Sequence, residues 1–167
     1  MEIIQKITAK IFFAGFFIML FLSCQNNIVF EQTKDIETDG WHKDSIVSMR
    51  YQPLDTTQLY DLFFLVRNDN SYPYSNLFLI STIENDKHKI TDTLEYEMAD
   101  AKGNWLGSGM SDLKESKLIY KKKYRFKDTL PVHFQVQQAV RKTGNTMGDD
   151  ILPGIKTIGI IIEKHTD

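Results

Sequence analysis

The sequence predicts an all-β domain, a two-sheet antiparallel sandwich of about eight strands, set behind an N-terminal leader. Three observations lead there. From Ser45 onward, short runs of β-branched and aromatic residues recur between turn clusters, at the spacing of an all-β fold. Helical periodicity is weak everywhere past the leader. The lone cysteine, Cys24, leaves no disulfide or thiolate metal site to the rest of the chain, so the fold must rest on packing and hydrogen bonds.

The leader has its own logic. Lys6 and Lys10 precede the apolar run Ile11–Leu22, followed by the small Ser23 and by Cys24. A charged start, a short hydrophobic segment and a small-residue cut site make a secretory signal. The run is shorter than the roughly 17–25 residues a spanning helix needs. Phe21-Leu22-Ser23-Cys24 resembles a bacterial lipobox, with Phe21 where leucine is usual, which implies a lipidated cysteine at the mature N-terminus. An ordinary signal peptide or an uncut anchor is the competing reading. The expected organisation is residues 1–23 as signal, 24–38 as lipidated N-terminus and tether, and 39–167 as the sandwich. Removing the signal leaves about 144 residues, a single-domain length able to bury a core.

The elements follow in order. Gln25–Thr38 is polar and reads as a tether, with a first strand at Ile28–Glu31. Ile46–Tyr51 is the next run. Tyr60–Val66 is apolar on both phases, as in a central strand. Leu77–Ile83 follows a loop, Asn68–Asn76, that carries Pro73. Ile90–Tyr96, Lys117–Tyr120, the short Tyr124/Phe126 run and the alternating Val132–Val136 come next. Thr157–Glu163 is nearly continuous in isoleucine, which suits a strand buried on both faces. Asp55–Leu59 or Val140–Lys142 could hold a turn of helix. A jelly roll is one sandwich of this kind, and the sequence leaves the strand order open.

Charge and motifs exclude several functions. The whole chain has a net charge of −2, and losing Lys6, Lys10 and Glu2 with the signal makes the remainder one unit more negative. No concentrated basic face marks a nucleic-acid binder. His42, His88, His133 and His165 lack metal-like spacing, and zinc wants three or four clustered ligands, so no metal or cofactor is expected. Glu95 and Glu97 share a strand face with Asp92 one step off phase, and Asp149-Asp150 sits in a loop; solvated acids account for them better than a glycosidase pair or a calcium site. Gly107-Ser108-Gly109 lacks the nucleophile frame, and Gly103, Gly107 and Gly109 read as turn residues free to take positive φ. No catalytic residue is expected. Lys121-Lys122-Lys123 reads as a charged hairpin tip, with contact to anionic headgroups as the other use. Trp41, Tyr72, Tyr74 and Trp105 form the candidate binding surface for protein or sugar if exposed, and plug the sandwich ends if buried; burial is the expectation for most.

Several fragments, in order, carry a resemblance: Trp41–Ile46, Leu65–Asn68, Tyr74–Phe78, Asp92–Met98, Gly103–Gly109, Gln137–Arg141, Leu152–Ile155, Ile158–Ile160 and Glu163-Lys164. Behind a lipobox, this series is similar to the gliding motility lipoprotein GldH family of the Bacteroidota. Val140 stands where methionine is usual in that family, and Asp128–Val132 lacks the glycine usual before its strand. The resemblance implies a non-enzymatic accessory lipoprotein for gliding, tied to the type IX secretion machinery. Its implied partners are the membrane, through lipid on Cys24, and other gliding or secretion lipoproteins. Gln25, Asn26 and Asn27 follow Cys24 without a retention aspartate or an acidic export cluster, so the expected location is the outer membrane, facing the periplasm. An envelope glycan-binding module is the alternative.

Overall fold

The computed structural model describes residues 27–37, 39–140 and 150–166. Cys24 and the signal segment lie outside them, as do Arg141 and Lys142. The described residues hold ten strands: β1 Ile28–Asp35, β2 Trp41–His42, β3 Val47–Tyr51, β4 Tyr60–Asn68, β5 Asn76–Glu84, β6 Lys89–Glu97, β7 Lys114–Tyr124, β8 Val132–Gln138, β9 Ile151–Leu152 and β10 Ile155–Lys164. None of them is helical, and Asp55–Leu59 forms bends rather than a helical turn.

Eight strands make two open four-stranded sheets, ordered β1-β10-β4-β7 and β3-β8-β5-β6, with β2-β9 as a separate two-stranded ladder. All pairs are antiparallel. Within this order the pairs β1·β10, β3·β8, β4·β7 and β5·β6 nest inside one another, as if one long hairpin were wrapped around a barrel. That nesting is jelly-roll connectivity, one of the ways all-β chains protect sheet edges.

The core follows from strand alternation. In β4, Leu62, Phe64 and Val66 point inward opposite Ile162, Ile160 and Ile158 of β10, and all six are fully buried. From the other sheet, Leu77, Leu79, Phe134 and Val136 meet them in one cluster. The two central strands of the first sheet are therefore the apolar ones, as their sequences predict. At the open side, edge strands β6 and β7 are stitched together. Tyr120 donates its hydroxyl to Asp92 at 2.9 Å and Lys121 pairs with the same carboxylate oxygen at 2.9 Å. The Tyr96 hydroxyl bonds the Ile119 carbonyl at 2.9 Å, so both sheets are held along that edge.

Three further expectations change. The first strand runs past Glu31 to Asp35; its second half is polar because it lies at a sheet edge, where charge discourages pairing with another chain. Lys121-Lys122-Lys123 is not a hairpin tip: it lies within β7, which joins the expected Lys117–Tyr120 run to Tyr124 as one strand and leaves Phe126 in the turn that follows, between Tyr124 and Val132. Register shifts there mark a bulge, with Lys123 at φ 53 and its amide bonded to Asp61 at 2.9 Å. Gly107 does not take positive φ; it is small because a Cβ would meet the Ser116 hydroxyl oxygen at 2.6 Å.

The strand registers give the sandwich two ends. One, which we call the near end, gathers Ile28, Tyr60, Tyr124 and Lys164 with the β5–β6 hairpin and the β3–β4 and β7–β8 loops. The far end gathers Asp35, Asn68 and Lys114 with the 69–75 and 98–113 loops and the β2-β9 ladder.

Candidate interaction surface

All four sequence-selected aromatics lie at the far end, and the structure divides them. Trp41 is 1% exposed and Tyr72 3% exposed, so both serve the core. Trp41 also donates its indole N–H to the Ser45 carbonyl at 2.9 Å and pairs with Leu152 in the short ladder. Tyr72 donates its hydroxyl to the Asn76 carbonyl at 2.7 Å, and burial pushes its phenol well above the ordinary range. Tyr74 and Trp105 are half-buried and pack on Tyr72, with ring centroids 5.9 and 6.1 Å away. The structure thus joins three of the four candidates into one cluster whose outer members keep some surface.

The loop from Met98 to Leu113 is built on that cluster. Asp100 accepts the amides of Lys102 and Asn104 at 2.8 and 2.9 Å and the Asn104 side-chain amide at 2.9 Å. Those bonds, the side-chain one first, hold its carboxyl below the usual range. Leu106 bonds back to Met98, and Ser108 exchanges both backbone bonds with Glu115. Trp105 donates its indole N–H to Asn70 at 3.1 Å, and Asn70 reaches on to Asp112 at 2.9 Å. A loop pinned at so many points presents its remaining side chains in a fixed arrangement. Three of them are large and apolar: Leu106 is 57%, Met110 92% and Leu113 44% exposed. Three large apolar side chains in solvent on one ordered loop, beside half-exposed aromatics, have the make-up of a protein-binding surface. Sequence reasoning missed Met110 and Leu113, and held Leu106 only as part of a family-like loop. Their signal was apolar residues inside a glycine- and serine-rich loop, with no strand period to bury them.

Apart from one surface group around His42, the other chemistry-bearing residues are held apart. Asp92 faces the β7 edge, whereas Glu95 lies on the opposite phase and accepts the Asn76 amide at 2.9 Å. Arg67 pairs with Glu115 at 2.7 Å, and Asn68 is fully buried at the end of β4. Asp150 pairs with Lys43 at 2.5 Å, while Asp149 lies outside the described residues. Glu37, Asp39 and His42 bring ligand atoms within 4.8 Å of one another on the surface. There the His42 imidazole is already bonded to Asp39 at 2.9 Å, which lowers the Asp39 carboxyl and raises the imidazole.

Comparison with known proteins points one way. Residues 28–162 match the GldH lipoprotein family. A gliding motility lipoprotein GldH homolog from Christiangramia forsetii is 44% identical over 156 residues, 93% of this chain and 95% of the relative. The gliding motility lipoprotein GldH of Flavobacterium johnsoniae is 43% identical over 147 residues, 87% of this chain and 91% of the relative. Among solved structures, an infectious bursal disease virus VP2 subviral particle aligns at a TM-score of 0.33 and 13% identity, over 81% of this chain and 30% of that chain. That likeness is too loose to bear on function.

Proposed function

The chain belongs to the GldH lipoprotein family, and on that footing we propose that it is a non-enzymatic accessory of gliding motility, tethered by lipid on Cys24 and acting through protein–protein contact. The family's description as lipoproteins supports membrane anchoring, and the relatives' names support the role in gliding. The finer assignment is to the periplasmic face of the outer membrane, in contact with other gliding or type IX secretion lipoproteins. One observation carries the contact: Leu106, Met110 and Leu113 stand exposed on an ordered loop, at the opposite end of the sandwich from Asn27, where the described chain begins.

Complementation tests this in a gliding relative whose own gene has been deleted. A triple Leu106→Ser, Met110→Ser, Leu113→Ser variant should fold and reach the membrane yet leave colony spreading and secretion unrestored. Full restoration by that variant would overturn the assignment of the loop. Because Tyr74 and Trp105 keep exposed surface, a glycan-binding reading stands beside it. Affinity for envelope glycans that is lost in Trp105→Ala, with partner capture intact, would favour sugar.

A further inference from the structure

We propose that the near end of the sandwich is a lipid-contacting face, on which exposed cations meet the phosphate groups of an anionic bilayer and hold the domain upright. This rests on the reading of Cys24 as the lipidated residue. The Asn27 carbonyl accepts the Lys164 amide at 2.8 Å, so the described chain begins fixed at the near end. From Cys24 to Asn27 there are three residue steps, at most about 11 Å even when fully extended. The sandwich is longer than that: the nine residues of β4 alone span about 30 Å. A leash of this length keeps the near end at the membrane and cannot bring the far end to it unless the domain lies on its side.

The charge distribution opposes lying down. Lys87, Lys122, Lys123, Arg125, Lys127 and Lys164 are all exposed at the near end. Of the acids there, Asp61 is paired with His165 at 2.8 Å and Glu84 with Lys89 at 3.0 Å, while Asp55, Asp86 and Asp128 keep their charge and are outnumbered by the six exposed cations. Leu54, on the near-end β3–β4 loop, is 86% exposed and offers an apolar tip to the interface. The far end instead carries exposed acids, among them Asp39, Glu97 and Asp112. An anionic surface attracts the first set within a Debye length of roughly 8 Å and repels the second. The leash holds the cations close to that range, so orientation follows from chain length and charge together. The bulge that turns Lys122 and Lys123 at the end of β7 thereby acquires a use.

The test employs the processed, acylated protein in phosphatidylcholine vesicles with and without phosphatidylglycerol. The chain has one cysteine, which the lipid occupies, so a single added cysteine accepts a fluorophore cleanly. Asp86→Cys labels the near end and Lys102→Cys the far end. A headgroup-located quencher should dim the Asp86→Cys label and spare the Lys102→Cys label, and the difference should shrink in high salt or without phosphatidylglycerol. Each cation is worth about a fivefold change in surface partition. Replacing Lys87, Arg125 and Lys127 with Gln should therefore shrink the difference between the two labels, while thermal unfolding stays unchanged. Equal quenching at both ends, or quenching indifferent to phosphatidylglycerol, overturns the proposal alone. So does a near end that crosslinks to protein in intact envelopes and shows no lipid contact. An N-terminal peptide without acyl mass overturns the anchoring reading and this one with it.

Discussion

Gly154 lies directly against the backbone of Tyr72, so close that a Cβ on the glycine would overlap the tyrosine's amide nitrogen and Cα. The contact joins the turn between β9 and β10 to the loop that seats the aromatic cluster. It also explains why Tyr72 holds one position under Tyr74 and Trp105. The exposed loop thus depends on a backbone contact in which neither partner is exposed.

Two glycines separate strain from crowding. Gly154 and Gly103 share φ 83, but a Cβ on Gly103 would meet nothing within 4 Å. Gly103→Ala should cost about 1–2 kcal/mol, the penalty of left-handed backbone alone. Gly154→Ala adds overpacking and should cost roughly 2–5 kcal/mol. Urea midpoints of the two variants decide this; equal losses would mean that the Tyr72 contact is slack.

Trp41 and Trp105 should also part company. Trp41→Ala removes a buried indole and should lose about 3–5 kcal/mol. Trp105→Ala, at a half-buried ring, should lose roughly 1–2 kcal/mol while weakening partner capture far more than its stability loss explains. Similar stability losses in both would place Trp105 in the core as firmly as Trp41.

At the stitched edge, Tyr120 stacks on Phe64 with centroids 4.7 Å apart and bonds Asp92 through its hydroxyl. Tyr120→Phe keeps the stack and leaves Asp92 to Lys121, so it should cost about 1–2 kcal/mol. Tyr120→Ala should cost about 3–5 kcal/mol. Hydrogen exchange at β6 and β7 should rise in the first variant before it rises at β4. Uniform exchange in all three strands would show that the edge has no separate stability.

Acid should weaken the fold through Asp61 and Asp69. Burial pushes both carboxyls up, but hydrogen bonds and positive charge outweigh it and hold them below the ordinary range. For Asp61 these come from His165, the Lys123 amide and Lys122, and for Asp69 from Ser71 and Lys156. A depressed carboxyl stabilises the fold fully above its unfolded value of about 3.9 and loses that contribution as pH falls through the folded one. Urea midpoints should be level down to about pH 5 and fall below about pH 4. Asp69→Asn should lower the neutral midpoint and flatten the acid fall; an unaltered acid limb would assign the loss elsewhere.

Much of this architecture could be read in the residues. Tyr60–Val66 and Thr157–Glu163 announced central strands because both of their phases are apolar, and they are the two inner strands of one sheet. The nested pairing could not be read, since it depends on which runs meet across more than a hundred residues, as Asp35 meets Thr157. The two-residue strands β2 and β9 have no period to detect; burial of Trp41 and Leu152 holds them together. Lys121–Lys123 looked like a tip because three charges in a row resemble a turn, whereas an edge strand with a bulge tolerates them equally well. Of the binding surface, the aromatics were legible as a set, but their division into buried and half-buried members depends on the 69–75 and 98–113 loops closing over one another.

The most direct test of the central claim is photocrosslinking from Met110 in living cells, with a matching probe at Asp86 and a Cys24→Ser control. The account predicts specific adducts from Met110 to other gliding or secretion lipoproteins, lost when Cys24 is serine and absent from Asp86. Acylated, membrane-located protein that gives no adduct from Met110, or the same adducts from both ends, would contradict it.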